Sequence, residues 1–206
     1  MKTFIVVGSH RPQSESARVA AVLSKHLQKR TDAPHEVEIL DLGKTPLPLW
    51  DEELWSEEPS KWDALWKPWS EKLKHCDSLI VISPEYAGTA PAALKNFFLL
   101  STGGQIAHKP ALLVAVSSGV GGAYPIAELR MSSYKNSHVL YLPEQLIIRK
   151  VNELFVSDDS SFWSEEESYL RKRIDFALNQ LAHYSLALSQ MRRSSEFSFI
   201  EFPYGM

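Results

Sequence analysis

Five short apolar runs recur along the chain, separated by stretches in which apolar and charged residues alternate with helical spacing. Thr3 to Val7 is apolar on both faces and stops at Gly8, which predicts a buried strand. Ser14 to Arg30 carries Ala17, Ala20, Ala21, Leu23 and Leu27 between charges, the spacing of a helix with one apolar face. His35 to Leu42 alternates apolar and polar residues, as a strand near a sheet edge does. Residues 43–60 hold Pro46, Pro48 and Pro59 and predict a long irregular connection, and residues 61–75 predict a helix that Pro68 interrupts or bends. Ser78 to Ser83 and Ala111 to Ser117 are two further apolar strands, and Pro91 to Leu100 is a helix with proline in its first turn. Gly121 to Asn136 predicts a helix after its glycines, and His138 to Leu142 the fifth strand. Glu144 to Val156 reads as an added short strand or hairpin. Ser164 to about Met191 is a long amphipathic helix, with Ser164 and Glu167 suited to a capping box.

This regular alternation predicts an α/β fold: a doubly wound five-stranded parallel sheet in the order 2-1-3-4-5, with a C-terminal helix and tail. The 206 residues suit one domain spanning 1–206, with a C-terminal extension from about residue 143. Hydrophobic residues make up 44% and charged residues 23%, the balance of an ordinary soluble protein with a substantial core. Lys plus Arg total 22 against 25 Asp plus Glu, a net charge of −3 without any basic run, so no nucleic-acid partner is expected. The single cysteine, Cys76, excludes an internal disulfide and a Cys-rich metal site. No segment suits a signal peptide or a membrane span, so a cytoplasmic protein without a membrane partner is expected.

In open α/β sheets ligands bind beyond the carboxyl ends of the strands, near the point where the strand order reverses. The loops after strands one, three and four are the candidates. The first, Gly8 to Ser16, runs into a helix N-terminus, where free backbone N–H groups and a partial positive charge suit a phosphate. Ser9, Ser14 and Ser16 add hydroxyls, and Arg11 adds a charged fork. Neither a Walker A motif nor a GxGxxG fingerprint is present, which favours one monophosphate over a pyrophosphate. Simple helix capping by Ser14 or Ser16, with a solvated Arg11, is the plainer alternative. The second loop, Ser83 to Pro91, can offer main-chain groups to a flat ring, with Tyr86 as a wall. The third, Ser117 to Tyr124, holds Gly119, Gly121 and Gly122, which permit close approach of a ligand. Ordinary turns are the alternative for both.

The segments GSHRPQSES, SPEYAGTAPAALKN and SSGVGGAY, with LGKTPLPLWDEE after the second strand, resemble the NADPH-dependent FMN reductase family of flavodoxin-like flavin, quinone, chromate and azo-dye reductases. The resemblance runs in order from about residue 2 to residue 142. It implies that Ser9, Arg11, Ser14 and Ser16 hold the FMN phosphate and that Pro84, Glu85, Tyr86 and Gly88 line the isoalloxazine ring. Ser117, Gly119 and Gly121 would border the ring and ribityl chain. It further implies NADPH or NADH as co-substrate, a small-molecule electron acceptor, and a homodimer or homotetramer. Two positions depart from the pattern. Ala87 stands where Asn commonly follows PEY, and Leu99 where Asp commonly follows LKN by three residues.

With FMN carrying the chemistry, no catalytic side chain and no metal is expected. Backbone N–H groups from Glu85 to Gly88 could stabilise charge on the reduced flavin. His75 beside Cys76 suggests a thiolate pair, yet neighbours on a helix point apart, which favours a structural role. Lys95 and Asn96 likewise read as structural. Trp50, Trp55, Trp62, Trp66 and Trp69 crowd one segment and suggest an interface or pocket wall, with core packing as the alternative. The apolar tail Phe197 to Tyr204 suits docking on the same subunit or a partner. A flavodoxin-like electron carrier and a flavin-binding protein without catalysis are the competing functions.

Overall fold

A computed structural model describes residues 1–30 and 36–194. The first residue of the expected second strand, His35, and the tail Phe197 to Tyr204 lie outside the described residues. Five parallel strands pair in the order β2-β1-β3-β4-β5. They are β1 (Lys2–Val7), β2 (Glu36–Asp41), β3 (Ser78–Pro84), β4 (Pro110–Val116) and β5 (Leu140–Ile148). Each crossover carries helix: α1 (Glu15–Gln28), α2 (Lys61–Leu65) with α3 (Lys67–Lys74), α4 (Ala92–Leu100) and α5 (Ala123–Ser132), and α6 (Glu165–Arg193) follows β5.

Side chains alternate faces along a strand, so each buried strand feeds two cores. Phe4, Val6, Leu79, Val81, Leu113 and Ala115 point into one with Trp62, Trp66, Leu73, Leu94, Phe97 and Ile126. Ile5, Val7, Ile80, Ile82, Leu112 and Val114 point into the other with Val19, Leu23 and Leu27 of α1. Ile174, Ala177, Leu178 and Leu181 of α6 complete that second core. The C-terminal helix therefore covers the sheet.

The structure refines several expected boundaries. The fifth strand does not stop at Leu142. It continues to Ile148, with a register irregularity where Ala111 pairs Tyr141 and Leu113 pairs Gln145. Pro143 lacks an N–H and cannot serve a regular ladder, so the irregularity falls around it. Arg130 donates to the Leu142 carbonyl at 2.6 Å and supplies a partner there. Glu144 to Ile148 is thus the second half of one strand, not an added one. The helix over 61–75 is two helices, broken at Trp66, with Pro68 in the opening turn of α3. Ser164 caps α6 by accepting the Glu167 N–H at 3.0 Å. The expected reciprocal bond is replaced, because Arg171 takes the buried Glu167 carboxylate at 2.7 Å. The capping box occurs instead at Ser60 and Asp63 on α2.

The tryptophan segment is mostly core. Trp62 and Trp66 are each 3% exposed, Trp50 and Trp69 pack on the same cluster, and Trp55 is exposed. Two tie-downs explain this packing. Asp51 accepts from the Trp62 ring N–H at 2.9 Å. Asn96 clamps the proline-rich connection by accepting the Trp50 N–H and donating to the Pro48 carbonyl, both at 2.7 Å.

Candidate active site

The carboxyl ends of β1, β3 and β4 deliver their loops to one side of the sheet. Gly8 starts the first turn where no other residue fits. A Cβ there would lie 2.7 Å from both the Ile82 carbonyl and Leu94 Cδ2. Its N–H donates to that carbonyl at 2.8 Å. Ser9 is fully buried, with its hydroxyl 2.8 Å from the Tyr86 hydroxyl and accepting the Arg11 N–H at 3.2 Å. Ser14 caps α1 by accepting the Ala17 N–H at 3.2 Å. Arg11 is exposed and, among the described residues, makes no ion pair. Glu15, the carboxylate at the helix start, is taken by Arg18 Nε at 2.7 Å. Arg18 also donates to the carbonyls of Val151 and Leu154, so it neutralises Glu15 and bolts α1 to the turn after β5.

The second loop is held from both ends. The Glu85 N–H donates to the Val116 carbonyl at 3.0 Å, and the Glu85 carboxylate accepts the Gly122 N–H. A Cβ on Gly121 would sit 2.5 Å from that carboxylate and would push it from this position. Tyr86 and Thr89 exchange N–H to carbonyl bonds of 3.1 and 3.0 Å around a two-residue turn. Its central residues, Ala87 and Gly88, have φ of 50° and 76°. That pattern belongs to a tight turn with both central residues left-handed. Asn is among the few non-glycine residues at ease there, so Ala87 gives up a backbone preference as well as a side-chain amide. The amides of Glu85 and Tyr86 are spent inside the protein, which leaves those of Ala87 and Gly88 at the turn's tip. The third loop is tied by Ser117, whose hydroxyl accepts the Gly119 N–H at 3.2 Å. The turn after β5 closes on it through Lys150 N–H to the Gly119 carbonyl at 2.9 Å and Arg149 Nε to the Gly121 carbonyl at 3.0 Å.

Arg11, Ser14, Ser16, Pro84, Glu85 and Tyr86 together line an open cavity of about 220 Å³, joined by Glu15, Val116, Ser118 and Val151. The other residues singled out from sequence have different positions. Ser9 lies beneath as a brace for Tyr86, Ser117 holds Gly119, and Gly121 seats the Glu85 carboxylate. Gly88 and Gly119 are open, with nothing within 4 Å of where a Cβ would be. Larger cavities of about 490 Å³ under the tryptophan segment and 350 Å³ between α4 and α5 lie away from the carboxyl edge. The donor set fits a flavin mononucleotide: a guanidinium, two hydroxyls and first-turn amides for a phosphate, and bare backbone at Gly88 and Gly119 for a flat ring.

Arg18, Arg149, Lys150 and Val151 were not among the residues singled out. Arg18 stands three residues after Glu15, a visible helix pair. The others follow β5, and with that strand ended at Leu142 nothing directs attention to them. His75 and Cys76 do not form a pair. His75 is exposed and Nδ1 lies 2.7 Å from the Glu71 carbonyl, while the buried Cys76 thiol donates to the Leu73 carbonyl at 3.2 Å. Burial pushes that thiol up to about 11, which keeps it protonated near neutrality. Lys95 pairs with Glu128 at 2.5 Å and joins α4 to α5. Among the described residues no group of His, Cys, Asp or Glu could hold a metal, and no helix is long and apolar enough to cross a membrane.

Comparison with known proteins shows the family and the fold. The family model for NADPH-dependent FMN reductases matches residues 1–153. A quinone reductase of Pseudomonas putida is 34% identical over 124 residues, which span 58% of this chain and 62% of that protein. An FMN-dependent NADPH-azoreductase of Staphylococcus saprophyticus is 25% identical over 174 residues, 84% of this chain and 90% of that one. Among solved structures, FerB, a flavoenzyme NAD(P)H:(acceptor) oxidoreductase from Paracoccus denitrificans, superposes with a TM-score of 0.61 at 21% identity. That superposition covers 92% of this chain and 97% of FerB. Oxidised flavodoxin 1 from Bacillus cereus superposes with a TM-score of 0.55 at 12% identity, covering 89% and 99%. Both share the fold.

Proposed function

As the chain belongs to the NADPH-dependent FMN reductase family, we propose that it binds FMN and passes reducing equivalents from NADPH or NADH to a small organic acceptor such as a quinone or free flavin. The observation that carries this is the convergence of Arg11, Ser14, Ser16, Pro84, Glu85 and Tyr86 on one cavity at the carboxyl edge of the sheet. FMN, when bound, supplies the redox chemistry, exchanging electrons between nicotinamide and acceptor. The chain's own residues bind, orient and exclude. Arg11 with the hydroxyls of Ser14 and Ser16 and the first turn of α1 holds the phosphate. The Ala87 and Gly88 amides are free to donate to the ring. Ser9, Tyr86, Glu85 and Ser117 set the loop positions through bonds already made in the protein, so little ordering remains to be done on binding. We also assign the protein a homodimer or homotetramer, supported by the exposed Leu99 on α4, Met131 on α5 and Tyr134 just after α5.

Purified protein titrated with FMN, followed by NADPH and NADH oxidation with a quinone acceptor, tests the assignment. Saturable FMN binding and acceptor-dependent turnover are expected. FMN binding without turnover with either dinucleotide would reassign the protein as an electron carrier or binding protein.

A further inference from the structure

We propose that Arg149 and Lys150, on the turn after β5, form a second phosphate site that anchors the nicotinamide dinucleotide. The assignment rests on the reductase reading above and adds the residues that choose its electron donor.

Both side chains are exposed, and neither is ion-paired among the described residues. Most exposed cations elsewhere have carboxylate partners, as in Lys72–Glu38 at 2.9 Å and Lys25–Asp158 at 2.6 Å. Glu153 shares the turn and its N–H donates to the Lys150 carbonyl at 2.9 Å, yet its carboxylate makes no ion pair with Lys150.

The turn is rigidly placed. Arg149 Nε is spent on the Gly121 carbonyl, which leaves the terminal nitrogens of its fork available at the rim of the third loop. Lys150 is left-handed, with φ of 47°, a conformation costly for a residue with a side chain. It is held by the Gly119 carbonyl, and Val151 beside it donates to the Ser117 carbonyl at 3.1 Å. Arg18 fixes the far end of the turn through the Val151 and Leu154 carbonyls. Val151 itself lines the cavity, and the two residues before it are tied to the third loop beside it.

Their place outside the lining of the cavity decides what they serve. Arg11 follows β1 and Arg149 follows β5, three strands apart in the sheet order. At about 4.8 Å per strand that is roughly 14 Å along the edge. Arg11 lines the cavity with Ser14 and Ser16, and neither Arg149 nor Lys150 does. The flavin phosphate belongs to Arg11 at the α1 N-terminus, and a second cation pair outside that lining, on the turn tied to the third loop, suits a phosphate of the dinucleotide. A guanidinium fork beside an ammonium fits either a 2′-phosphate or a pyrophosphate.

The test is calorimetric titration of the FMN-loaded protein with NADP⁺ and NAD⁺, in wild type, Arg149→Gln and Lys150→Asn. Gln keeps an N–H donor for the Gly121 carbonyl, and Asn tolerates the left-handed backbone. Each variant is expected to weaken NADP⁺ about tenfold, the loss of one charge-assisted contact, with FMN affinity unchanged. Weakening of NADP⁺ alone assigns the 2′-phosphate; equal weakening of NAD⁺ assigns the pyrophosphate. Wild-type affinity for both dinucleotides in both variants overturns the assignment while leaving the reductase reading intact. Loss of FMN affinity in the variants overturns it too, by making them flavin ligands. A wild-type protein that binds neither FMN nor NADP⁺ overturns both readings.

Discussion

Two cations at the amino edge of the sheet and three at its carboxyl edge have opposite fates. At the amino edge Lys109, only 5% exposed, donates to the Leu73 and Lys74 carbonyls at 2.5 and 2.8 Å. Those carbonyls end α3, where a helix leaves acceptors unpaired and favours a cation. Arg192 near the end of α6 donates to the His108 carbonyl at 2.8 Å. These cations are consumed by the fold. At the carboxyl edge Arg11, Arg149 and Lys150 have no ion pair among the described residues, although their backbones are firmly held. A cation whose partners are internal stabilises structure, and one without an ion pair keeps its charge for solvent or for the ligands proposed above.

Four substitutions test this contrast, and the largest effect belongs to the amino edge. Lys109→Ala should lower stability by about 3 kcal/mol, since a hydrogen bond from a charged donor is worth about 1.5–3 kcal/mol and two are lost. Urea unfolding measures this, and a loss under 1 kcal/mol would mean that water replaces the ammonium. Next, Arg11→Ala should leave the urea midpoint unchanged and weaken FMN binding roughly 10- to 100-fold, the value of a charge-assisted contact of about 1.5–3 kcal/mol. Unchanged FMN affinity would remove Arg11 from the phosphate site.

The third effect is smaller and depends on pH. Burial, then the nearby His138 and Arg192, holds the His108 imidazolium below its ordinary range. The neutral ring is therefore favoured in the fold. As pH falls below about 6.5 the unfolded chain takes up the proton first, and stability declines until folded His108 is protonated as well. His108→Asn keeps a residue suited to the left-handed backbone at φ of 52° and should flatten that decline. An identical slope in the variant would place its source elsewhere. The smallest effect returns to the carboxyl edge. Ala87→Asn relieves a left-handed alanine and should raise stability by up to about 1 kcal/mol, read from the same urea curves.

Much of this was legible along the chain. β1, β3 and β4 are continuous aliphatic runs because both faces are buried, so their strand character needs no partner to be seen. Their order followed from alternation with helices, and the loops followed from the order. The end of β5 was hidden because Pro143 interrupts its pattern, and only the pairing of Leu113 with Gln145 restores the register. Arg149 and Lys150 were hidden with it. The tryptophan segment was half legible: Trp62 and Trp66 are core and also line, with Trp55, the cavity of about 490 Å³, and composition cannot distinguish an aromatic wall facing a cavity from one facing Phe97 and the sheet.

Local physics thus determined, from sequence alone, the parallel sheet, its strand order and the serine-rich helix start that suits a phosphate. Those features depend on neighbouring residues and on the period of burial. Tertiary structure alone decided which polar groups were already spent. Ser9 went to Tyr86 and Glu85 to Gly122, while Arg11, Arg149 and Lys150 kept their charge without an ion pair among the described residues. Hydrogen-bond partners far apart in sequence meet only when the strands align, so no reading along the chain could separate the bracing groups from those left for a ligand.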